Sequence, residues 1–226
     1  MHPIRRARRR PLVLGAGAFL AVAVAVTTAT LTAPAARAQG QGTLGTIDAG
    51  GVKLPTTANV GGTALALNGA GVRYRFVLRV YSAGLYLSAK AGTPEAVLAA
   101  SGPKRMHVVM LRDIDAEQLG RLFTRGMQDN APKDTFSRSV PGTLRLAEIF
   151  SSRKKLAAGE NFSIDWLPGT GTVILVNGQP QGAPIKEPEF FQALMLIWLG
   201  GQPVDASLKE ALLGREVRPV TSPGQQ

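Results

Sequence analysis

The 226-residue sequence contains no cysteine and only two histidines, one of which, His2, lies at the extreme N terminus. Without cysteine the chain cannot form disulfides, use a thiolate nucleophile or build a zinc–thiolate site. A Ser-His-Asp triad would depend on His107 alone, and its strand-like context, KRMHVVMLR, favours a structural role instead. Walker and dinucleotide-binding glycine motifs are also lacking. We therefore expect a protein without metal or cofactor.

The first 38 residues have the plan of a signal peptide. Five arginines between Arg5 and Arg10 precede a charge-free apolar run, which ends in the small-residue motif Ala36-Arg37-Ala38. This pattern predicts cleavage before Gln39 and an exported protein, periplasmic or otherwise extracytoplasmic, without a membrane span after cleavage. An uncleaved membrane anchor is the alternative. Two arginines before Pro11 leave both the general and the twin-arginine export routes open.

Acidic residues are scarce relative to basic ones, but most of the imbalance belongs to the leader. Residues 1–38 hold six of the 26 basic residues and none of the 15 acidic ones, so their removal lowers the formal net charge from +11 to +5. No stripe of lysine and arginine interleaved with aromatics remains. We therefore expect no nucleic acid as a partner, while the oligomeric state stays open.

The remaining chain is long enough for one domain with a substantial core. We predict an extended lead-in over 39–63, a single domain over 64–214 and a flexible tail over 215–226. Apolar alternation predicts strands within 64–87 and from Met106 to Leu111, and Asn68-Gly69 predicts a turn inside the first of these segments.

Helix signals and further strand signals follow in turn. Asp115 is placed to cap a helix, and a shorter helix is predicted over about 143–156. Alternation around Ile164 and a β-branched run ending at Val176 predict two consecutive hairpins. Pro188 opens another helix, and a last one covers about 205–213. This order predicts an α+β fold with helices on one face of a mostly antiparallel sheet.

Several of these segments together resemble the chalcone isomerase-like family, in its bacterial exported branch. They are NGAGVR at 68–73, VYSAGLYL at 80–87, PGTGT at 168–172 and IWLG at 197–200. The resemblance covers about residues 50–214. It implies an open-faced β-sandwich, in which helices cover one face of a large antiparallel sheet and a ligand cleft lies between the two.

The resemblance also implies roles for individual residues. In plant chalcone isomerases an arginine holds the substrate phenolate, while a threonine, a tyrosine and an asparagine order water at the carbonyl. The arginine matches Arg73 and the threonine position holds Tyr81. The tyrosine position falls near Leu119, and the asparagine position near Gly126, one turn from Asn130.

The family's fatty-acid-binding relatives use the equivalent arginine with a tyrosine to hold a carboxylate, and Arg73 and Tyr81 match that pair. The resemblance thus favours binding of a small amphipathic anion, such as a fatty acid, in a sheet–helix cleft. One alternative is a cofactor-free isomerase or intramolecular lyase, with Arg73 and Tyr81 as its catalytic residues. Another is a non-catalytic envelope protein that contacts a partner.

The spacing of Arg73 and Tyr81 sets a condition on this site. On one straight strand the two residues would lie ~26 Å apart, so the chain must fold back between Tyr74 and Arg79, where no glycine or Asn-Gly pair occurs.

Simple surface or core roles are expected for the other candidates. These are a solvent-facing strand position for Arg75, Arg79 and Asp165, a surface pair of Arg112 with Asp113, and core packing for Trp166 and Trp198.

Overall fold

The structure, a computed structural model, describes residues 45–215. The predicted leader lies outside this range, and so does the predicted tail beyond Arg215. Residues 45–215 form eleven strands: β1 (Thr46–Ala49), β2 (Val52–Pro55), β3 (Thr57–Val60), β4 (Thr63–Arg75), β5 (Leu78–Leu87), β6 (Lys104–Met110), β7 (Ile114–Asp115), β8 (Lys155–Leu156), β9 (Asn161–Leu167), β10 (Gly171–Val176) and β11 (Gln179–Pro180). Five helices join them: α1 (Pro94–Ala99), α2 (Ala116–Asn130), α3 (Lys133–Ser151), α4 (Pro188–Leu199) and α5 (Ala206–Leu212).

Seven of the strands form one antiparallel sheet in the order β11-β10-β9-β6-β5-β4-β3. The main hydrophobic core joins one face of this sheet to the helices. On the other face, a small cluster of Val60, Leu65, Leu67 and Tyr86 packs together. The predicted α+β class, an open-faced β-sandwich with helices on one face of a large antiparallel sheet, is confirmed.

Several predicted local signals produce the expected elements. The Asp115 carboxylate accepts a hydrogen bond from the Gln118 backbone N–H at 2.7 Å and caps α2. Asp205 caps α5 in the same way. The two predicted hairpins form as β9–β10 and β10–β11, the second of them through a turn at Asn177-Gly178. None of the helices in residues 45–215 is both long and apolar enough to cross a membrane.

Two helical segments differ from the prediction. The second predicted helix, over 143–156, is α3, which begins ten residues earlier, directly after Pro132. It ends at Ser151, because Lys155–Leu156 pairs with β7 as strand β8. Pro141 lies inside α3, although a proline within a sequence segment normally indicates that a helix ends there. The short helix α1 was not predicted. Thr93 caps it through a hydrogen bond from the Ala96 N–H.

The predicted turn at Asn68-Gly69 is wrong, because both residues lie inside the continuous strand β4. Asn68 is the extra residue of a β-bulge, where the pairing with β5 shifts by one position. Its buried amide donates to the carbonyl oxygens of Ala91 and Leu212 and accepts from the Ala91 N–H. The side chain that would stabilise a turn here ties β4 to two distant segments.

The chain reverses instead at Phe76-Val77. Arg75 on β4 pairs directly with Leu78 on β5, so Phe76 and Val77 form the whole turn between the two strands. Phe76 has φ 55°, a positive value that primed hairpin turns require and that glycine or asparagine normally provides. This reversal satisfies the condition set by the spacing of Arg73 and Tyr81.

Two glycines of β4 allow helix α5 to lie directly on the sheet. A Cβ on Gly69 would stand 2.0 Å from the Ala211 carbonyl oxygen, and one on Gly71 would stand 2.8 Å from the Ala211 Cβ. At the start of α5, the Asp205 carboxylate accepts a hydrogen bond from the Tyr74 N–H. The glycines therefore allow the C-terminal half of α5 to lie on β4, while its N-terminal cap, Asp205, bonds β4 next to Arg73.

Candidate ligand-binding site

Arg73 and Tyr81 are directly opposite each other on adjacent strands. A second bulge, at Val80, shifts the register between this pair and the Tyr74–Arg79 pair. As a result Val80 and Tyr81 both belong to the helix-facing core, although they are neighbours in sequence. The hairpin and the bulge together bring the two predicted site residues to one face.

Tyr81 is fully enclosed, with 1% of its surface exposed. Its hydroxyl oxygen accepts a hydrogen bond from the indole N–H of Trp198 at 2.8 Å. Burial raises the pKa of Tyr81 to about 12, although the Arg73 charge and the Trp198 hydrogen bond act in the opposite direction. The phenol is therefore neutral at pH 7 and retains a proton to donate.

Arg73 is half-buried and lies over the face of the Tyr81 ring, with its guanidinium carbon 5.5 Å from the ring centroid. Its Nε atom is buried and has no hydrogen-bond partner among residues 45–215. A buried N–H without an acceptor costs roughly 1–3 kcal/mol, which makes an anionic ligand a favourable acceptor for this arginine.

A cavity of about 690 Å³ opens beside Arg73, between the β4–β5 hairpin and the first half of α2. Its volume falls in the range of ligand pockets, roughly 300–1,000 Å³. Three arginines, five apolar side chains and three other polar side chains line the cavity: Arg73, Arg75, Arg112, Phe76, Leu78, Val80, Ile114, Leu122, Asp113, Asp115 and Gln118. Tyr81 does not line it, so the cavity meets the predicted pair only through Arg73.

The two acids of the cavity already have partners. Asp113 pairs with Lys155 at 2.5 Å, and Asp115 caps α2. Arg112 and Asp113 are both exposed, as predicted for a surface pair, but they do not bond each other, because Lys155 takes that carboxylate. Within the described range, Arg73, Arg75 and Arg112 make no ion pair. The cavity wall is cationic, and Arg75 faces this cavity in addition to solvent.

The positions at which plant chalcone isomerases order water supply no polar group here. Leu119 is buried in the core, and Gly126 packs so closely on Ile197 that an added Cβ would stand 3.2 Å from that side chain. Asn130 donates to the Gly126 and Gln202 carbonyl oxygens and accepts from the Gln202 N–H. Its amide thus holds the loop after α4, and none of Leu119, Gly126 and Asn130 lines the cavity.

Asp165 and Trp198 have roles that sequence reasoning missed. Asp165 does not face water: it is buried and accepts two hydrogen bonds of 2.6 Å from Arg105 on the neighbouring strand. Trp198 is a core residue as predicted, but it also bonds Tyr81. Its position at the end of a helix, far along the chain from β5, gave no signal of this contact.

His107 has a structural partner, since its Nδ1 lies 2.8 Å from the Ser163 hydroxyl. Burial, with a smaller effect of the Arg105 charge, lowers the pKa of His107 to about 4. Among residues 45–215, no three His, Asp or Glu side chains are grouped so that they could hold a metal ion.

The lowered pKa of His107 predicts that the folded protein loses stability in acid. Between about pH 6.5 and 4 the unfolded chain binds a proton at His107 that the folded protein does not, so stability falls as the pH falls. Urea unfolding at pH 7 and pH 4 should show that wild type loses about 2–3 kcal/mol more than His107→Gln over this interval. Equal losses in the two proteins would contradict the assignment.

The sheet with helices on one face, and a cavity beside a half-buried arginine, define an α+β protein of the open-faced sandwich class. The particular family follows from sequence: a family model described as chalcone isomerase-like matches residues 46–214, about three quarters of the chain. The chain belongs to the chalcone isomerase-like family.

A solved structure supports the same fold. The crystal structure of a fatty-acid binding protein from Arabidopsis thaliana is similar, with a TM-score of 0.59 and 14% sequence identity. The match covers 72% of this chain and 92% of the Arabidopsis chain. No curated protein matches the sequence significantly.

Proposed function

We propose that this protein is an exported, cofactor-free binding protein for a small amphipathic anion, and that its ligand is a fatty acid. The observation that carries the proposal is Arg73, which lines a cavity of about 690 Å³ and whose buried Nε has no hydrogen-bond partner within the described residues. A carboxylate there would accept charge-assisted hydrogen bonds from the guanidinium.

The other parts of the cavity suit the rest of such a ligand. Its apolar side chains, among them Leu78, Ile114 and Leu122, offer contact for a hydrocarbon chain. Arg75 and Arg112 add positive charge that favours an anion. The fatty-acid binding protein with a similar fold supports the choice of ligand class.

Tyr81 has a definite place in this proposal. Its ring supports the Arg73 guanidinium, and Trp198 fixes its hydroxyl. We therefore assign the carboxylate contact to Arg73 and the orientation of Arg73 to Tyr81. Direct contact of the Tyr81 hydroxyl with ligand stays a prediction.

The test is titration with dodecanoic acid, below its micelle concentration, followed by calorimetry. Wild type should bind, and Arg73→Met should bind about tenfold to a hundredfold more weakly, because charged hydrogen bonds are worth about 1.5–3 kcal/mol. Arg79→Met is the matched control: this arginine lies in the same hairpin but bonds the Gly50 carbonyl oxygen and does not line the cavity.

Two further arms make the result specific. Dodecanol lacks the carboxylate and should bind wild type and Arg73→Met equally weakly. Tyr81→Phe keeps the ring under Arg73 but removes the hydroxyl and its hydrogen bond with Trp198, so a loss of affinity in this variant would show that the hydroxyl contributes to binding. Absence of binding to wild type, or equal affinities of wild type and Arg73→Met for dodecanoic acid, would refute the proposal.

A further inference from the structure

The apex of the β4–β5 hairpin exposes apolar side chains, of which Phe76 and Leu78 also line the cavity. Phe76 is 91% exposed and Val77 is 89% exposed. Tyr74 and Leu78, on the strands just behind them, are each about half exposed, at 47% and 50%. Single exposed apolar residues are common on proteins, but a continuous group at a protruding apex marks an interaction site.

The backbone of the turn is strained, because a phenylalanine occupies a position that favours glycine. Phe76 adopts φ 55°, a conformation that glycine would take without strain. Because the Phe76 side chain is almost wholly exposed, packing within the domain does not offset this strain. Strained residues of this kind are typical of functional sites.

Positive charge predominates at the apolar apex, although the Asp205 carboxylate bonds the Tyr74 N–H and Asp113 and Asp115 line the neighbouring cavity. Residues 73–79 read RYRFVLR, with three arginines and no acidic residue. Arg112 lines the same cavity as Phe76 and Arg75. In the part of the chain that is described, neither Arg75 nor Arg112 forms an ion pair, and Arg79 bonds a backbone oxygen instead of an acid.

We propose that the hairpin apex, residues 74–79, inserts into the surface of an anionic lipid bilayer, with Phe76 and Val77 among the acyl chains and the arginines at the headgroups. The distance along the strands from the apex to the Tyr74–Arg79 pair is two residues, or about 7 Å at ~3.3 Å per residue. This length matches the ~5–10 Å to which interfacial elements are buried in the headgroup and acyl boundary.

Charge complementarity favours a bilayer over a protein partner. Arginines stand on both strands of the hairpin, so they can meet headgroups on both sides of the apex together. Tyr74 suits the same boundary, where tyrosine is enriched. Membrane insertion of the apex does not require a bound ligand, although Arg75, Phe76 and Leu78 also line the ligand cavity.

Because the sequence has no cysteine, a single introduced cysteine can carry a fluorescent label at a chosen position. Val77→Cys, labelled with the fluorophore NBD, is mixed with phosphatidylcholine vesicles that contain about one third phosphatidylglycerol and carry bromine or nitroxide quenchers on their acyl chains. Leu144→Cys is the matched control, because Leu144 is also exposed, at 62%, but lies on α3 away from the hairpin. The predicted leader is the same in both full-length proteins, so a difference between them reports the apex.

Emission at residue 77 should shift to the blue and be quenched by the lipid, while the label at 144 should stay in water. Adding Phe76→Ser should lower the apparent vesicle affinity at residue 77 about tenfold or more. Arg75→Gln should lower it about fivefold at low salt, and vesicles without phosphatidylglycerol should bind much more weakly. Phe76 is too exposed for its replacement to unfold the domain.

Three results would overturn the inference. One is equal response of the labels at 77 and 144. Another is the same affinity for neutral and anionic vesicles. The third is dimerisation in sedimentation velocity that Phe76→Ser abolishes, because a second copy of the chain would then cover the apex. None of these results depends on fatty-acid binding, which the calorimetric titration measures without vesicles.

Discussion

Gly69→Ala is expected to destabilise the protein by about 3 kcal/mol or more, a cost at the upper end of that for overpacked sites. The added Cβ would stand 2.0 Å from the Ala211 carbonyl oxygen and 2.7 Å from that of Leu212. Both are backbone atoms of the C-terminal end of α5, so the clash cannot be relieved by a side-chain rotation. Urea unfolding followed by circular dichroism measures the effect.

Gly92→Ala is the matched control, because a Cβ at Gly92 meets no atom of residues 45–215 within 4 Å and its φ is not positive. This change should leave the free energy of unfolding within about 0.5 kcal/mol of wild type. A Gly69→Ala protein as stable as Gly92→Ala would show that α5 does not lie on β4 as described. Because α5 starts at Asp205, which bonds the Tyr74 N–H, its displacement should also weaken ligand binding at Arg73.

Trp198→Ala is expected to cost about 3–5 kcal/mol, the usual range for removal of a buried tryptophan. Trp198 is wholly buried and packs edge-on against Phe123, with ring centroids 5.7 Å apart. It also donates the hydrogen bond that the Tyr81 hydroxyl accepts. Thermal and urea unfolding should both show the loss, while Trp166→Ala, at a partly exposed position, should cost less.

A double-mutant cycle separates the hydrogen bond from the packing. Trp198→Phe, Tyr81→Phe and the double variant should give a coupling of about 1 kcal/mol, because each single change leaves a buried polar atom without its partner. Tyr86→Phe is a control for loss of a buried phenol on the other face of the sheet, where its hydroxyl donates to the Pro55 carbonyl oxygen. Absence of coupling would mean that Trp198 supports Tyr81 by packing alone.

The site could be predicted only in part, for reasons that particular residues show. Arg73 and Tyr81 were identifiable because motifs of the family surround them. Their contact was not, because the reversal at Phe76-Val77 contains none of the residues that favour turns. The bulge at Val80, which turns Tyr81 to the helix-facing core, likewise leaves no mark in the sequence.

Strong local signals also failed where distant contacts compete with them. Asn68-Gly69 has turn chemistry, but hydrogen bonds from Asn68 to Ala91 and Leu212 outweigh it and keep the strand continuous. Asp165 follows the core residue Ile164 on β9, and the alternating pattern predicts that it faces water, but it is buried. Arg105, sixty residues away, is what makes a buried position acceptable for that carboxylate.

The sequence by itself determined the α+β class, the capped helix at Asp115, the hairpins around β10 and the family, because these depend on local chemistry and on motifs read along the chain. Only the tertiary structure decided that Arg73 stands at a cavity, that Trp198 holds Tyr81, and that Phe76 is exposed at an apex among arginines. The physical reason is that burial and pairing depend on residues far apart in sequence, whose approach is fixed by the packing of the whole domain and not by any one segment.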